Sequence, residues 1–399
     1  MIDHELFDVV VVGGGPSGAT AAADLARKGR RVMLLDRSGR IKPCGGAIPP
    51  AAIAEFAIPE HLLVAKVTAA RMIAPSGREV DMPIDGGYVG MVDREQFDEW
   101  LRVRAAATGA TRITGSFDKI SRDSAGYAIV HYQTSDANGE KKQHTVRTLL
   151  VIGADGASSR IARDEIDAAA DSKFVYAYHE IVTSPPASHA SFNPVRCDVY
   201  YQGPVSPDFY GWVFPHGNTT SIGMGTAKKG FSIRHATALL RERAGLAAAT
   251  TVRREGAPIP MKPLARWDNG RDVILAGDAA GVVAPASGEG IYYAMTGGRL
   301  AADAAAEFLA TRNPAALALA RKRFMKAHGR VFWILGMMQR FWYSNDRRRE
   351  RFVSICRDKD VQELTWQAYM HKKLVRAKPM AHIRIFFKDL AHLAGFARL

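Results

Sequence analysis

At 399 residues, with 47% hydrophobic and 24% charged side chains, the chain is too long for one ordinary core and too apolar for a disordered polymer. Its three cysteines, Cys44, Cys197 and Cys356, lie far apart and outside any zinc or iron–sulfur spacing, which argues against a metal centre and points to a cytoplasmic protein without structural disulfides. The net charge of +14 is lodged almost wholly at one end, where residues 321–399 carry 19 Lys/Arg against 6 Asp/Glu.

In chain order, residues 7–12 form a continuous apolar run that suits a buried parallel strand. Residues 16–28 read as an alanine-rich helix ended by Gly29, and residues 31–36 as the next strand, which completes one strand-helix-strand unit. No basic segment precedes residue 7, and no apolar run reaches the roughly 18 residues of a spanning helix, so neither a signal peptide nor a membrane span is expected. A helix capped by Asp93 is expected over 93–107, with Phe97, Trp100, Leu101 and Arg104 at helical spacing. Residues 117–151 turn to strands, with Asn138-Gly139 offering a tight hairpin turn. Aromatic and β-branched runs over 174–224 predict a second, mostly antiparallel sheet. Another buried strand follows at 272–276, then a loop and a helix from about Ser287 to Leu309.

The strongest motif is Gly13-Gly14-Gly15-Pro16-Ser17-Gly18, a GxGxxG placed after an apolar strand and opening a helix. Gly13 permits the tight turn, Gly15 lets a pyrophosphate approach the backbone, and Gly18 lets helix and strand pack closely. Pro16 and Ser17 begin the helix, whose free amides attract phosphates. Asp36, about twenty residues on and followed by Arg37, is where an acid accepts ribose hydroxyls. These residues predict an adenine-dinucleotide site; a plain glycine-rich turn is the bland alternative.

Further along, Gly153-Ala154-Asp155-Gly156 resembles the DG motif, and Ala276-Gly277-Asp278-Ala279-Ala280-Gly281 the GD motif, of the flavoproteins that include p-hydroxybenzoate hydroxylase. Tyr210-Gly211-Trp212-Val213-Phe214-Pro215 is similar to the YxWxFP stretch of geranylgeranyl reductases, and Lys42-Pro43-Cys44-Gly45-Gly46 resembles their lysine-cysteine-glycine segment. The resemblance covers residues 6–310 and leans toward the (bacterio)chlorophyll branch. It implies an α/β fold: a Rossmann-like FAD domain with a β-meander (1–66, 90–170 and 266–320), interleaved with an antiparallel-sheet substrate domain (67–89 and 171–265), followed by a basic helical tail (321–399).

The resemblance also implies FAD as cofactor, NADPH as a transient reductant, and stepwise reduction of geranylgeranyl to phytyl in (bacterio)chlorophyll biosynthesis, on the diphosphate or the bacteriochlorophyll ester. Asp155, Asp278, Gly277 and Arg94 would contact the cofactor, as would Cys44 and Gly45, with Gly288, Gly290 and Ile291 facing the flavin from the helix start. On a strand, Tyr210, Trp212 and Phe214 share one face and could wall a prenyl chain, although such a stripe also serves as ordinary core. Tyr210 and Cys44 are the candidate proton relays. An FAD-dependent monooxygenase and a non-catalytic flavin-containing prenyl carrier are the competing readings.

In the tail, residues 331–343 are rich in Phe, Trp, Leu and Met and are flanked by arginines and lysines, and residues 383–399 repeat the mixture. Two readings stand: peripheral contact with an anionic inner or photosynthetic membrane, or packing on the enzyme with a solvated basic face. Nucleic-acid binding would account for the charge but leaves the flavin motifs idle. The sequence leaves the oligomeric state open.

Overall fold

The structure, a computed structural model, describes residues 6–37, 41–136 and 138–372. The chain opens with β1 (Leu6–Val12), α1 (Pro16–Arg27) and β2 (Val32–Asp36). Next come β3 (Ala47–Ile48), α2 (Pro50–Glu55), β4 (Leu63–Val67), β5 (Ala69–Ile73), β6 (Glu79–Pro83) and β7 (Val89–Val92). A third run holds α3 (Arg94–Ala107), β8 (Thr111–Thr114), β9 (Ser116–Arg122), β10 (Ala128–Ser135), β11 (Lys141–Gly153) and α4 (Arg160–Glu165). A fourth holds β12 (Phe174–Thr183), β13 (Arg196–Tyr200), β14 (Gly211–His216), β15 (Thr219–Thr226), α5 (Ile233–Arg243) and β16 (Thr251–Pro260). The chain then continues through β17 (Val273–Leu275), α6 (Ile291–Thr311), α7 (Leu319–Trp342), α8 (Asp346–Ile355) and α9 (Lys359–His371).

Among the described residues these runs fall into two compact units, the first built from those within 6–42, 94–174 and 258–336, the second from 43–93, 175–257 and 337–372. Residues 43–66 belong to the second unit, because β4 and β3 both pair with β7 there. The tail divides between the units after Gly336.

In the first unit the sheet order is β8-β2-β1-β11-β10-β9, with β17 also on β11. Val9 to Val12, Val32 to Leu35, Leu150 to Ile152 and Val273 to Leu275 are all essentially inaccessible, as strands covered on both faces must be. Helix α1 packs on α3 and α6. Its buried Ala19, Ala21, Ala22 and Ala23 present no bulk, so the neighbours approach closely. The β9-β10-β11 meander is antiparallel, as the sequence predicts. Its β10-β11 turn is wider than a two-residue Asn-Gly hairpin: the Asp136 amide donates to the Glu140 carbonyl, while the Asp136 carboxylate takes the amides of Asn138 and Glu140. That side chain organises the loop and outcompetes the tighter turn.

The second unit holds a seven-stranded sheet, β16-β12-β15-β14-β13-β5-β6, and a small sheet, β3-β7-β4. Helix α5 covers one face of the large sheet through Val182, Val213, Ile222, Met224, Ala236 and Leu240. The parallel pair β13-β5 is the exception to its antiparallel character among the pairings described.

The first half of α7 turns Phe324, His328 and Phe332 inward onto Tyr293 of α6, with ring centroids 4.9–6.2 Å apart. Lys326 and Arg330 face out beside Trp333, which is 62% exposed. The packing reading of the tail thus holds for one face of this helix. Residues 383–399 lie outside the described residues. No helix among the described residues is long and apolar enough to cross a membrane, and no cluster of metal-ligating side chains occurs among them.

A charged knot ties the meander to β17. Arg122 grips Glu165 at 2.6 Å and Asp272 at 2.7 Å, and Asn269 donates to both acids. Burial pushes the Asp272 carboxyl up, but Arg122 and Asn269 outweigh it and hold the group below its ordinary value. A depressed carboxylate stabilises the fold above its ordinary pKa and loses that contribution as pH falls toward the folded value. Arg122→Met should therefore destabilise the protein by about 3 kcal/mol at neutral pH in urea unfolding, with a smaller difference from wild type in acid.

Candidate active site

Strands β1, β11 and β17 run parallel and end level: Val12 pairs with Gly153, and Gly153 with Leu275. Each of the three motif loops therefore leaves the carboxyl edge of the sheet side by side, where α/β sheets bind ligands. Glycines then set the spacing. Gly13 adopts φ +105° and donates its amide to the Leu35 carbonyl at 2.8 Å; a Cβ there would stand 2.2 Å from the Ala154 carbonyl oxygen. A Cβ on Gly18 would stand 1.8 Å from the Gly13 carbonyl oxygen, and one on Gly298 of α6 would stand 2.2 Å from that of Ser17. Around Gly15 the corresponding space is open.

Pro16 begins α1, whose first internal bond runs from the Ala19 amide to the Gly15 carbonyl, so the amides of Ser17 and Gly18 have no acceptor within the helix. The Ser17 hydroxyl is buried without a partner. An open backbone at Gly15, amides with no acceptor within the helix and an orphaned hydroxyl fit a diphosphate. At the end of β2, burial raises the Asp36 carboxyl above its ordinary value, while the Gly14 amide and the Arg102 guanidinium, 3.2 Å away, act against that rise. The exposed Arg37 follows it.

Other predicted residues have partners within the protein. Arg94 is buried at the start of α3 and commits Nε and Nη2 to Asp98 at 2.8 and 2.7 Å. Asp155 turns its carboxylate to the start of α4, accepting from the Ser159 hydroxyl at 2.5 Å and the Arg160 amide at 2.8 Å. Burial raises that carboxyl above its usual range against these hydrogen bonds. Asp278 lies beyond the strand end, in a single turn over Gly277–Ala280, and accepts from the Lys42 ammonium. A Cβ on Gly277 would meet Ser17 at 2.7 Å, so this turn touches the first motif.

The helix expected from Ser287 begins instead at Ile291, with Gly290 as its cap. Gly288 is left-handed at φ +65°, and its amide is taken by the Ala284 carbonyl, so the segment closes on itself first. The first-turn amides of α6 start at Ile291, because Ala294 makes the first internal bond, to Gly290. Gly290 brings them beside Asp278: a Cβ on it would stand 3.8 Å from that carboxylate.

The second unit carries the aromatic stripe. Tyr210 immediately precedes β14, and its ring lies 6.1 Å from that of Trp212, which lies 6.3 Å from that of Phe214. Val213 faces α5, so alternation turns these three rings to the opposite face of the sheet. Gly45 lies against this stripe, since a Cβ there would meet the Phe214 ring at 3.1 Å. Cys44 is a free, half-buried thiol whose sulfur accepts the Gly46 amide at 3.3 Å. Burial lowers the pKa of His216, which stands near Gly46 and binds the Phe214 carbonyl.

Sequence reasoning missed Arg102 on Asp36, Lys42 on Asp278, and Gly298. A long-range cation for a carboxylate leaves no local pattern, and Gly298 sits unmarked inside a helix. Among the described residues the structure brings together the strand-end motifs in one unit, and Gly45 with the aromatic stripe in the other.

A glycine-lined cradle at the carboxyl edge of a parallel sheet, interleaved in sequence with an antiparallel sheet bearing an aromatic stripe, defines an FAD-dependent oxidoreductase with a p-hydroxybenzoate hydroxylase-like fold. The family described as pyridine nucleotide-disulphide oxidoreductase matches residues 7–184. The chain is 58% identical over 389 residues to a geranylgeranyl diphosphate reductase of Rhodobacter capsulatus, covering 98% of each chain. It is 38% identical to one from Synechocystis, covering 96% of this chain and 97% of that one. A crystal structure of a geranylgeranyl bacteriochlorophyll reductase-like protein from Thermoplasma acidophilum shares the fold at TM-score 0.80 and 21% identity, covering 94% of this chain and 99% of that one. The chain belongs to the geranylgeranyl diphosphate reductase family.

The packing around Gly18 yields a direct test. Gly18→Ala should purify folded, with native far-ultraviolet circular dichroism, but with its bound flavin per chain cut at least about tenfold, since a Cβ cannot stand 1.8 Å from the Gly13 carbonyl oxygen without opening the cradle.

Proposed function

We propose that the chain reduces the isolated double bonds of a geranylgeranyl group stepwise to phytyl, on the diphosphate or the bacteriochlorophyll ester, with NADPH as the transient reductant. The observation that carries this reading is the stripe of Tyr210, Trp212 and Phe214 on the face of the sheet away from α5, an elongated aromatic surface suited to an isoprenoid chain. Gly13, Gly15, Ser17 and Gly18 would hold the FAD diphosphate, Asp36 a ribose, and Asp278 with the amides at Ile291 the far end of the cofactor. When bound, FAD in its reduced form supplies a hydride.

The chain's own residues must supply the rest. An isolated trisubstituted alkene has no carbonyl to take negative charge, so a proton must reach one carbon as hydride reaches the other, and positive charge gathers on the tertiary carbon. Aromatic faces stabilise such a cation where water is excluded. Trp212 is 6% exposed and Tyr210 8%, which fits that task. Cys44 and the Tyr210 hydroxyl are the candidate proton sources.

Anaerobic incubation of the dithionite-reduced protein with geranylgeranyl diphosphate and with the geranylgeranyl pigment ester, read by mass spectrometry, should show stepwise gains of two hydrogens. No gain on either substrate would reject the reading. Turnover that demands oxygen would instead identify a monooxygenase.

The outward face of α7 suggests where such lipid-like substrates would be met. Lys322, Arg323, Lys326 and Arg330 are exposed along with Trp333, an arrangement suited to an anionic headgroup layer. The full chain should co-sediment with anionic lipid vesicles and not with neutral ones, and Trp333→Glu with Lys326→Glu should weaken that binding about tenfold or more. Equal sedimentation of variant and wild type would place the contact elsewhere.

A further inference from the structure

On the second unit's sheet, a polar chain runs beside the aromatic stripe, on the same face. Val182, Val213 and Ile222 face α5, so alternation puts His179, Trp212, Ser221 and Gly223 on the opposite face. Gly223 has no room for a side chain: a Cβ would stand 2.4 Å from His179 Cβ and 2.7 Å from Trp212 Cζ2. The imidazole and the indole therefore share the space above a bare glycine. Trp212 Nε1 donates to Ser221 Oγ at 3.1 Å, Ser221 Oγ lies 2.9 Å from His179 Nδ1, and His179 Nε2 lies 2.9 Å from Glu255. Arg253 pairs with Glu255 at 2.9 Å. His179 is 2% exposed and Ser221 fully buried.

The chain has a direction. An indole N–H can only donate, so the Ser221 oxygen accepts it; in the tautomer that keeps its proton on Nε2 toward Glu255, His179 Nδ1 accepts the Ser221 O–H. The imidazole then carries its proton on Nε2 and donates to Glu255, whose charge Arg253 balances. The series ends on the Glu255–Arg253 carboxylate–guanidinium pair. Flipping the indole would strand the Ser221 oxygen in a buried place, and losing the imidazole would strand the hydroxyl proton.

We propose that His179 is a positioning residue: through Ser221 it fixes the Trp212 indole in the middle of the stripe, and so fixes the register at which a prenyl chain lies while successive double bonds are reduced. This rests on the reading of the stripe as the prenyl wall. A chain reduced more than once must be presented again after each step, shifted along the wall. A wall of fixed shape favours the productive registers, and a mobile indole lets partly reduced chains leave.

The test uses FAD-loaded protein reduced anaerobically, with geranylgeranyl diphosphate as probe. Ser221→Ala and His179→Leu should retain full flavin content, raise KM more than they lower kcat for the first reduction, and raise the ratio of partly reduced products to phytyl product about tenfold, the equivalent of one buried hydrogen bond. Glu255→Ala should shift the ratio similarly, and Glu255→Gln, which keeps an oxygen for the Nε2 proton, should restore most of it. Trp212→Phe should shift it too, and adding Ser221→Ala to Trp212→Phe should then change nothing further. If Trp212→Phe shifts the ratio while Ser221→Ala and His179→Leu leave it and KM as in wild type, the positioning role is refuted. Should His179→Leu fail to fold, Ser221→Ala alone decides the matter. If Trp212→Phe leaves the ratio unchanged, or wild type adds no hydrogen at all, the prenyl-wall reading itself has failed and takes this inference with it.

Discussion

Backbone touching backbone is the constraint on which the cofactor end depends. Gly18 lies against the Gly13 carbonyl, Gly13 against the Ala154 carbonyl, and Gly298 against the Ser17 carbonyl, each so closely that one added carbon would force the elements apart. This closeness turns three strand ends of equal height into one surface. It also explains why the neighbouring helix α1 is so rich in alanine: any larger side chain on its buried face would undo the approach that the glycines secure.

The same economy recurs in the second unit at a different scale. Gly223 gives up its side chain so that His179 and Trp212 can meet above it. A row of buried hydrogen bonds is a costly thing to place beside an apolar wall, because any missing partner leaves a desolvated polar atom. Here each member of the row from Trp212 to Glu255 has a hydrogen-bond partner, and Arg253 adds an ion pair at its end. An aromatic surface with one indole held by such a network keeps its shape without admitting water, the condition that cationic alkene chemistry imposes.

Much of this was legible in the sequence, where local physics decides. The apolar run ending at Gly13, the helix opening at Pro16 and the acid at Asp36 follow one another within a single strand-helix-strand unit, and alternation alone predicts that Tyr210, Trp212 and Phe214 share a face. What escaped the sequence depended on distant or competing partners. Asp155 has a helix start of its own to cap, Arg94 has Asp98 four residues on, and the left-handed Gly288 delays α6 until Ile291. The cations on Asp36 and Asp278 come from Arg102 and Lys42, far along the chain. Nothing in local spacing announces such pairs.

The central claim is that the amides and the buried hydroxyl at the start of α1 receive the diphosphate of FAD. Titration of the flavin-free protein with FAD, followed by quenching of flavin fluorescence, tests it most directly when repeated with competitors. Saturation at one FAD per chain, displaced by ADP but not by riboflavin, is the predicted result. No saturable binding, or displacement by riboflavin with ADP having no effect, would contradict the account.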